Sequence, residues 1–190
     1  MANLKLKNPA GGSLALVSAD GASDLTATFP AATGTVMVSG NMPAFIAYQS
    51  SQQTIATGTG TKIQYQTKVN DTATCFNNTG STVTLNGISV PAYSFAPNVA
   101  GYYWINAQVY WSGAISAETI VSILKNGSDY AYGNDMAASY IWLQSTSSLV
   151  YLNGTSDYVN ISWYHAAGVN KVLNTGSSNN FFQGILIRAA

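Results

Sequence analysis

Gly101-Tyr102-Tyr103-Trp104-Ile105-Asn106-Ala107-Gln108-Val109-Tyr110-Trp111 is the stretch that decides the fold class. Taken two residues apart, it separates into Tyr103, Ile105, Ala107, Val109, Trp111 and into Tyr102, Trp104, Asn106, Gln108, Tyr110. Successive side chains of a strand point to opposite faces. The first set is therefore a plain core face. The second interleaves rings with amides, a composition better suited to contact with another protein surface than to open water.

The same period of two continues on either side. Residues 119–124 form an apolar run closed by the turn signal Lys125-Asn126-Gly127. Residues 148–152 run into Asn153-Gly154, residues 158–165 alternate Val159, Ile161 and Trp163 against Asn160, Ser162 and Tyr164, and the last predicted strand, 181–188, places Ile185 and Ile187 on one face. No helical periodicity is present. Turn residues recur about every 8–12 positions, the spacing of a sandwich or jelly roll.

Residues 1–42 read differently. They hold no Tyr or Trp, and their predicted strands, 4–6, 14–17, 25–29 and 36–38, are very short. Turn chemistry separates them at Pro9-Ala10-Gly11-Gly12, Asp20-Gly21 and Thr33-Gly34. So small a segment cannot bury enough apolar surface to offset the entropy of ordering its backbone alone. Other copies of the chain, or a partner, are expected to hold it. The domain boundary is placed at 42/43, with a stem over 1–42 and a head over 43–190.

Composition excludes several functions. Charged residues make up 7% of the 190-residue chain, and seven Lys and Arg balance seven Asp and Glu; an ordinary domain is about a quarter charged. Nucleic-acid binding needs a basic stripe, and a membrane patch needs a polybasic one. Neither partner is expected. No window approaches about 18 uninterrupted apolar residues, and Lys5, Lys7 and Asn8 break up the first residues, so neither membrane insertion nor a signal peptide is expected. Cys75 stands alone, so no intrachain disulfide forms. Sequons at Asn70, Asn77, Asn126, Asn153 and Asn160 are expected as chance matches in an Asn- and Thr-rich chain.

Two resemblances add to this reading. Pro43-Ala44-Phe45-Ile46-Ala47, Phe95-Ala96-Pro97 with residues 101–105, residues 121–127, Leu152-Asn153-Gly154 with Asp157-Tyr158-Val159, and Phe181 with Gly184-Ile185-Leu186-Ile187 follow in the order of the globular head of the complement first component and the tumour necrosis factor superfamily. The resemblance implies an all-β, ten-stranded jelly-roll sandwich that is trimeric, with inner-sheet aromatics on the three-fold axis. Tyr102, Trp104, Gln108 and Tyr110 are then the trimer-interface candidates. The expected core of the head is Phe95, Tyr103, Ile105, Val109, Val159, Ile161 and Ile185. Residues 4–12, followed by Leu25-Thr26-Ala27-Thr28-Phe29-Pro30, are similar to the repeats of trimeric phage fibre shafts, which implies a short β-prism-like N-terminal segment. Leu4, Leu6, Leu14 and Leu16 are its virion-docking candidates.

Catalysis is not expected. His165 is the sole histidine, and its nearest acid in sequence, Asp157, lies on the same predicted strand. At about 3.3 Å per residue the two stand roughly 26 Å apart, too far for a triad. Asn126, Asp129, Asn134 and Asp135 offer oxygens of the kind calcium takes, but they lack EF-hand spacing and match ordinary turn chemistry. No cofactor or metal is therefore expected. Tyr130, Tyr132, Tyr140 and Trp142, read as a loop-rich stretch, are receptor or glycan candidates, against the alternative that they pack the sandwich or the trimer axis.

The functional expectation is a non-enzymatic trimeric phage virion surface protein. Made in the host cytoplasm, it would act as a short fibre or spike, displaying the head to a host-surface glycan or protein and attached to capsid or tail proteins through residues 1–42. The alternative is a capsid decoration or cement protein that stabilises the shell.

Overall fold

In a computed structural model of the protein, residues 4–7, 10–11, 13–16, 42–133 and 141–190 are described. They form seventeen strands, and no helix is found among them. The chain divides into two compact units, Met1–Gly34 and Thr35–Ala190.

In the first unit, β1 (Leu4–Lys7) and β2 (Ser13–Leu16) pair antiparallel, with Leu4 opposite Leu16 and Leu6 opposite Leu14. The four docking candidates are thus two cross-strand pairs of one hairpin. Gly11, in the connecting turn, takes a φ of 88°. The predicted strands at 25–29 and 36–38 lie outside the described residues.

The second unit holds the remaining fifteen strands. They are β3 (Ala44–Tyr48), β4 (Gln53–Ile55), β5 (Thr61–Lys62), β6 (Thr67–Asp71), β7 (Phe76–Asn77), β8 (Val83–Leu85), β9 (Ile88–Val90), β10 (Ser94–Phe95), β11 (Gly101–Ile115), β12 (Thr119–Lys125), β13 (Ser128–Tyr132), β14 (Ile141–Leu152), β15 (Val159–His165), β16 (Lys171–Leu173) and β17 (Phe181–Ala189). A seven-stranded sheet runs β4-β16-β11-β17-β3-β6, with β14 on the other side of β11. A six-stranded sheet runs β13-β12-β15-β10-β7, with β5 added to β15, and β8 and β9 form a separate hairpin. All pairings are antiparallel. In the β12–β13 hairpin, Asn126 (φ 53°) and Gly127 (φ 82°) both sit in the left-handed region, as a two-residue hairpin turn matched to strand twist requires.

The core lies between the two large sheets. From the seven-stranded sheet come Tyr103, Ile105, Ala107, Val109 and Trp111 of β11, with Phe45 and Phe182; Val121, Ile123, Val159, Ile161 and Trp163 meet them from the six-stranded sheet. Phe45 is the hub of the aromatic packing, its ring centroid 4.4 Å from Phe95, 4.7 Å from Phe182 and 4.8 Å from Phe76. Trp111 stacks on Trp163 at 4.7 Å. One buried amide ties the sheets together. Gln144 of β14 donates from Nε2 to the Thr119 carbonyl (2.7 Å), while its Oε1 accepts from the Thr119 hydroxyl and from Trp163 Nε1. Polar atoms taken out of water need such partners.

Phe95, Tyr103, Ile105, Val109, Val159 and Ile161 are all fully buried. Ile185 is the exception and corrects the expected core: it is 46% exposed, and Ile187 beside it is 60% exposed. The reason lies in the register. Cross-strand partners share a face, and β17 meets β11 with Leu186 opposite Tyr103, Gly184 opposite Ile105 and Phe182 opposite Ala107. Those three therefore take the core side, and Ile185, opposite Trp104, takes the outer one. Position 184 is glycine because the space is already filled: a Cβ there would sit 2.8 Å from both Ile105 Cδ1 and Phe45 Cε1.

Candidate binding surfaces

The outer face of the seven-stranded sheet is apolar over several strands. Its central row runs Leu149 (β14), Trp104 (β11), Ile185 (β17), Ala44 (β3), each opposite the next in register. One pair along, Tyr151 lies opposite Tyr102, their ring centroids 5.4 Å apart. Ile46 and Ile187 extend the exposed apolar surface. Beside Trp104 the face dips into a hollow of about 250 Å³, floored by Phe45 and Gly184 and rimmed by Ile46, Asn70 and Gln183. A contiguous apolar surface of this kind marks a contact site rather than a solvated face.

The four interface candidates differ in their freedom. Tyr102 and Trp104 are 43% and 45% exposed. Gln108 is engaged within its own chain, its Nε2 donating to the carbonyls of Ser178 (2.9 Å) and Asn179 (3.1 Å). Tyr110 is half-buried, its backbone N–H held by Asn180 Oδ1 at 2.7 Å. Leu143, Leu149 and Tyr151 belong to the face and were missed in the sequence reading. Their period of two along β14, with Ser145 and Ser147 between them, was the available signal.

Three of the four receptor candidates are on strands rather than loops. Tyr130 and Tyr132 lie in β13 and Trp142 in β14, all exposed; Tyr140 lies outside the described residues. A stretch of Ser, Asp, Tyr and Ala looks loop-like, yet β12 supplies a ready edge for it to pair with. Tyr130 Oη donates to the Leu149 carbonyl (3.2 Å) and Tyr132 Oη to Asp129 Oδ2 (2.9 Å). The latter bond holds the Tyr132 phenol protonated above its usual range.

Two of the oxygen ligands weighed for calcium, Asn126 and Asp129, have partners within the chain. Asn126 donates from Nδ2 to Asp157 Oδ1 (2.7 Å) and accepts from the Tyr158 N–H (3.0 Å). Lys125 Nζ lies 3.0 Å from Asp157 Oδ2. Burial alone would raise the Asp157 pKa, but bonds from Asn126, Lys125 and the Asn153 N–H outweigh it and hold the carboxyl below its usual range. Asp157 thus belongs to the loop before β15, not to the His165 strand. Asn134 and Asp135 lie outside the described residues.

His165 and Cys75 are both interior. Cys75 is buried and its thiol is pushed up to about 11, chiefly by desolvation, so little of the nucleophilic thiolate exists near neutral pH. His165 is fully buried against Trp163, with Nε2 3.2 Å from the Ile55 carbonyl and Nδ1 3.4 Å from the Ala167 N–H. These contacts suit one neutral tautomer: Nε2–H donates and Nδ1 accepts. Desolvation lowers its pKa first, with nearby Lys171 acting the same way and the Ile55 bond opposing. The unfolded histidine takes up a proton near pH 6.5, the folded one only at lower pH. Its contribution to stability is therefore complete above about pH 6.5 and lost as pH falls through the folded value. Denaturant midpoints should decline as pH drops below 6.5, and His165→Gln should flatten that part of the profile; a native profile level between pH 7.5 and the carboxylate range would contradict this.

No protein-family model matches the sequence, and no curated protein matches it. Solved structures do resemble it. Eiger, a tumour necrosis factor from S. frugiperda, is 8% identical at a TM-score of 0.50, covering 78% of this chain and 93% of its own. The globular domain of zebrafish complement 1qA is 17% identical at 0.49, covering 78% and 99%. The PRD1 vertex protein P5 is 16% identical at 0.48, covering 77% and 97%. None of the three is named as an enzyme. The likeness is one of fold: the second unit is a jelly roll of the tumour necrosis factor type. No helix among the described residues is long and apolar enough to cross a membrane.

Proposed function

We propose that the protein is a homotrimeric, non-enzymatic surface protein of a phage virion, whose jelly-roll head faces the host while residues 1–42 dock on the particle. The observation that carries this reading is the apolar outer face around Trp104, on a sheet whose other side is already a complete core. In a jelly roll of this type, packing that face on a three-fold axis removes it from water. The head is then left with its six-stranded sheet and the β12–β13 hairpin turned outward. The similarity of the N-terminal segment to fibre-shaft repeats, and its hairpin standing in a separate compact unit, support a docking role for it.

A decoration or cement role is the second reading.

The test is complementation. The core cluster lies wholly between Phe45 and Leu186, so a chain lacking residues 1–42 retains that cluster. It should fold and assemble. Supplied to particles that lack the native protein, it should be absent from purified virions. Truncated heads loading at normal copy number would place the docking surface on the jelly roll and favour the cement reading.

A further inference from the structure

The solvent face of the six-stranded sheet carries a hollow of about 340 Å³, within the lower part of the range for small-ligand sites of roughly 300–1,000 Å³. Register builds it. Ser122 of β12 lies directly opposite Ser162 of β15 on one side and opposite Tyr132 of β13 on the other. Ile120 and Tyr164 form a further outward cross-strand pair, next but one along the strands. Two small residues in the middle of long strands, flanked by two phenol rings and an isoleucine, leave a depression. Gly60 limits it at one end, where a Cβ would come within 3.4 Å of Ser162 Oγ. Glu118 and Asp129, both exposed, stand at its edge.

Each lining group has a defined chemistry. Carboxylates only accept hydrogen bonds, whereas serine and phenol hydroxyls both donate and accept. Aromatic rings offer flat apolar faces with a polar tip. Among the described residues, no cationic side chain lines the hollow. A phosphate, uronate or sialate would meet two carboxylates, while the cation nearest by register, Lys62 opposite Ser162, is engaged at the Ala92 carbonyl at 3.2 Å. A compact cation would use the carboxylates but leave the serine floor without a role. A ring with C–H patches on its faces and hydroxyls around its edge uses all of them. Tyr132 and Asp129 are already locked together by their 2.9 Å bond, so less ordering is left for the ligand to impose.

We propose that this groove binds a neutral hexopyranose unit of a surface glycan. The inference rests on the attachment reading above and supplies the chemistry of the receptor. One shallow groove holds a sugar weakly. Three on a rigid trimer raise the effective concentration, so a multivalent surface is retained where a free glycoside is not.

The experiment uses the full chain. Ligand-detected NMR with methyl glycosides of glucose, galactose, mannose and N-acetylglucosamine, alongside glucuronate, sialic acid and tetramethylammonium, should show transfer to at least one neutral glycoside only. Tyr132→Ala, at a side chain 64% exposed, and Ser122→Leu, which fills the floor, should each weaken that binding about tenfold or more while leaving the melting transition in place. Binding of none of the neutral glycosides, preference for an anionic or cationic probe, or binding indifferent to both substitutions would overturn the groove. A host-cell pull-down separates the two readings. Heads that hold cells equally well with and without Tyr132→Ala keep attachment and lose the groove. Heads that bind a glycoside but no cells keep the groove and lose attachment.

Discussion

Trp104→Arg should convert an assembly of about three times the 20.0 kDa chain mass into folded monomers. Trp104 is central to the apolar outer face, between Leu149 and Ile185 and beside the 250 Å³ hollow. Among the described residues no carboxylate lines that hollow, so a guanidinium brought there on assembly would lose its water without gaining a partner. A central aromatic of an interface is worth about 2–4 kcal/mol when lost. Because the substitution recurs in each of three interfaces, the trimer loses roughly 6–12 kcal/mol by the same measure. Light scattering or sedimentation at micromolar concentration reads the mass, and circular dichroism confirms that the head stays folded. Val169→Arg, 60% exposed in the loop between β15 and β16, is the control and should leave the trimer intact. Trimers persisting with Trp104→Arg would mean that this face is not the assembly surface.

Phe45→Ala should produce the largest loss of stability in the head. The ring is 1% exposed and touches three other rings, stacked on two and edge-on to the third. Removing a buried Phe costs about 3–5 kcal/mol, the cavity included, out of a total of about 5–15 kcal/mol. For a domain of this size, that lowers Tm by roughly 6–20 °C, at about 2–4 °C per kcal/mol. A second substitution tests the packing geometry. Gly184→Ala brings a Cβ to 2.8 Å from Phe45 Cε1, so its cost should shrink once Phe45 is Ala, a coupling that a double-mutant cycle resolves. Ile185→Ala, on the outer parity, should change monomer stability by no more than about 0.5 kcal/mol. Equal losses from Phe45→Ala and Ile185→Ala would refute the facing of β3 and β17.

Much of the head was legible where local chemistry and burial agree. Residues 101–111 alternate without a break, and β11 follows them and continues to Ile115. Lys125-Asn126-Gly127 marks a hairpin because only a few residue types accept positive φ at both central positions, and the chain turns there with Asn126 and Gly127. Other elements carried no such signal. β5, β7 and β10 are two residues long, too short for any period, and exist because a neighbouring strand offers an edge. The β13 tyrosines sit on a strand for the same reason.

The groove lies on the far side of the same division. Ser122 and Ser162 are forty residues apart in sequence and adjacent only because β12 and β15 pair in one register. A shift of one strand by one residue would turn its serine towards the core and leave the other facing out. Nothing local distinguishes these serines from others in a serine-rich chain.

What the sequence determined by itself was the period, the turns and therefore an all-β sandwich, since those follow from backbone geometry and residue type within a few positions. What only the tertiary structure decided was which of two apolar faces is interior. In β17 both parities are apolar, Phe182 and Leu186 on one, Phe181, Ile185 and Ile187 on the other. Alternation treats the two faces alike. The choice falls to the partner strand and the opposing sheet: β11 has already turned Tyr103, Ile105 and Ala107 towards Phe45 and Phe95. Only a residue without a side chain fits at position 184 against them, and Ile185 is left facing out.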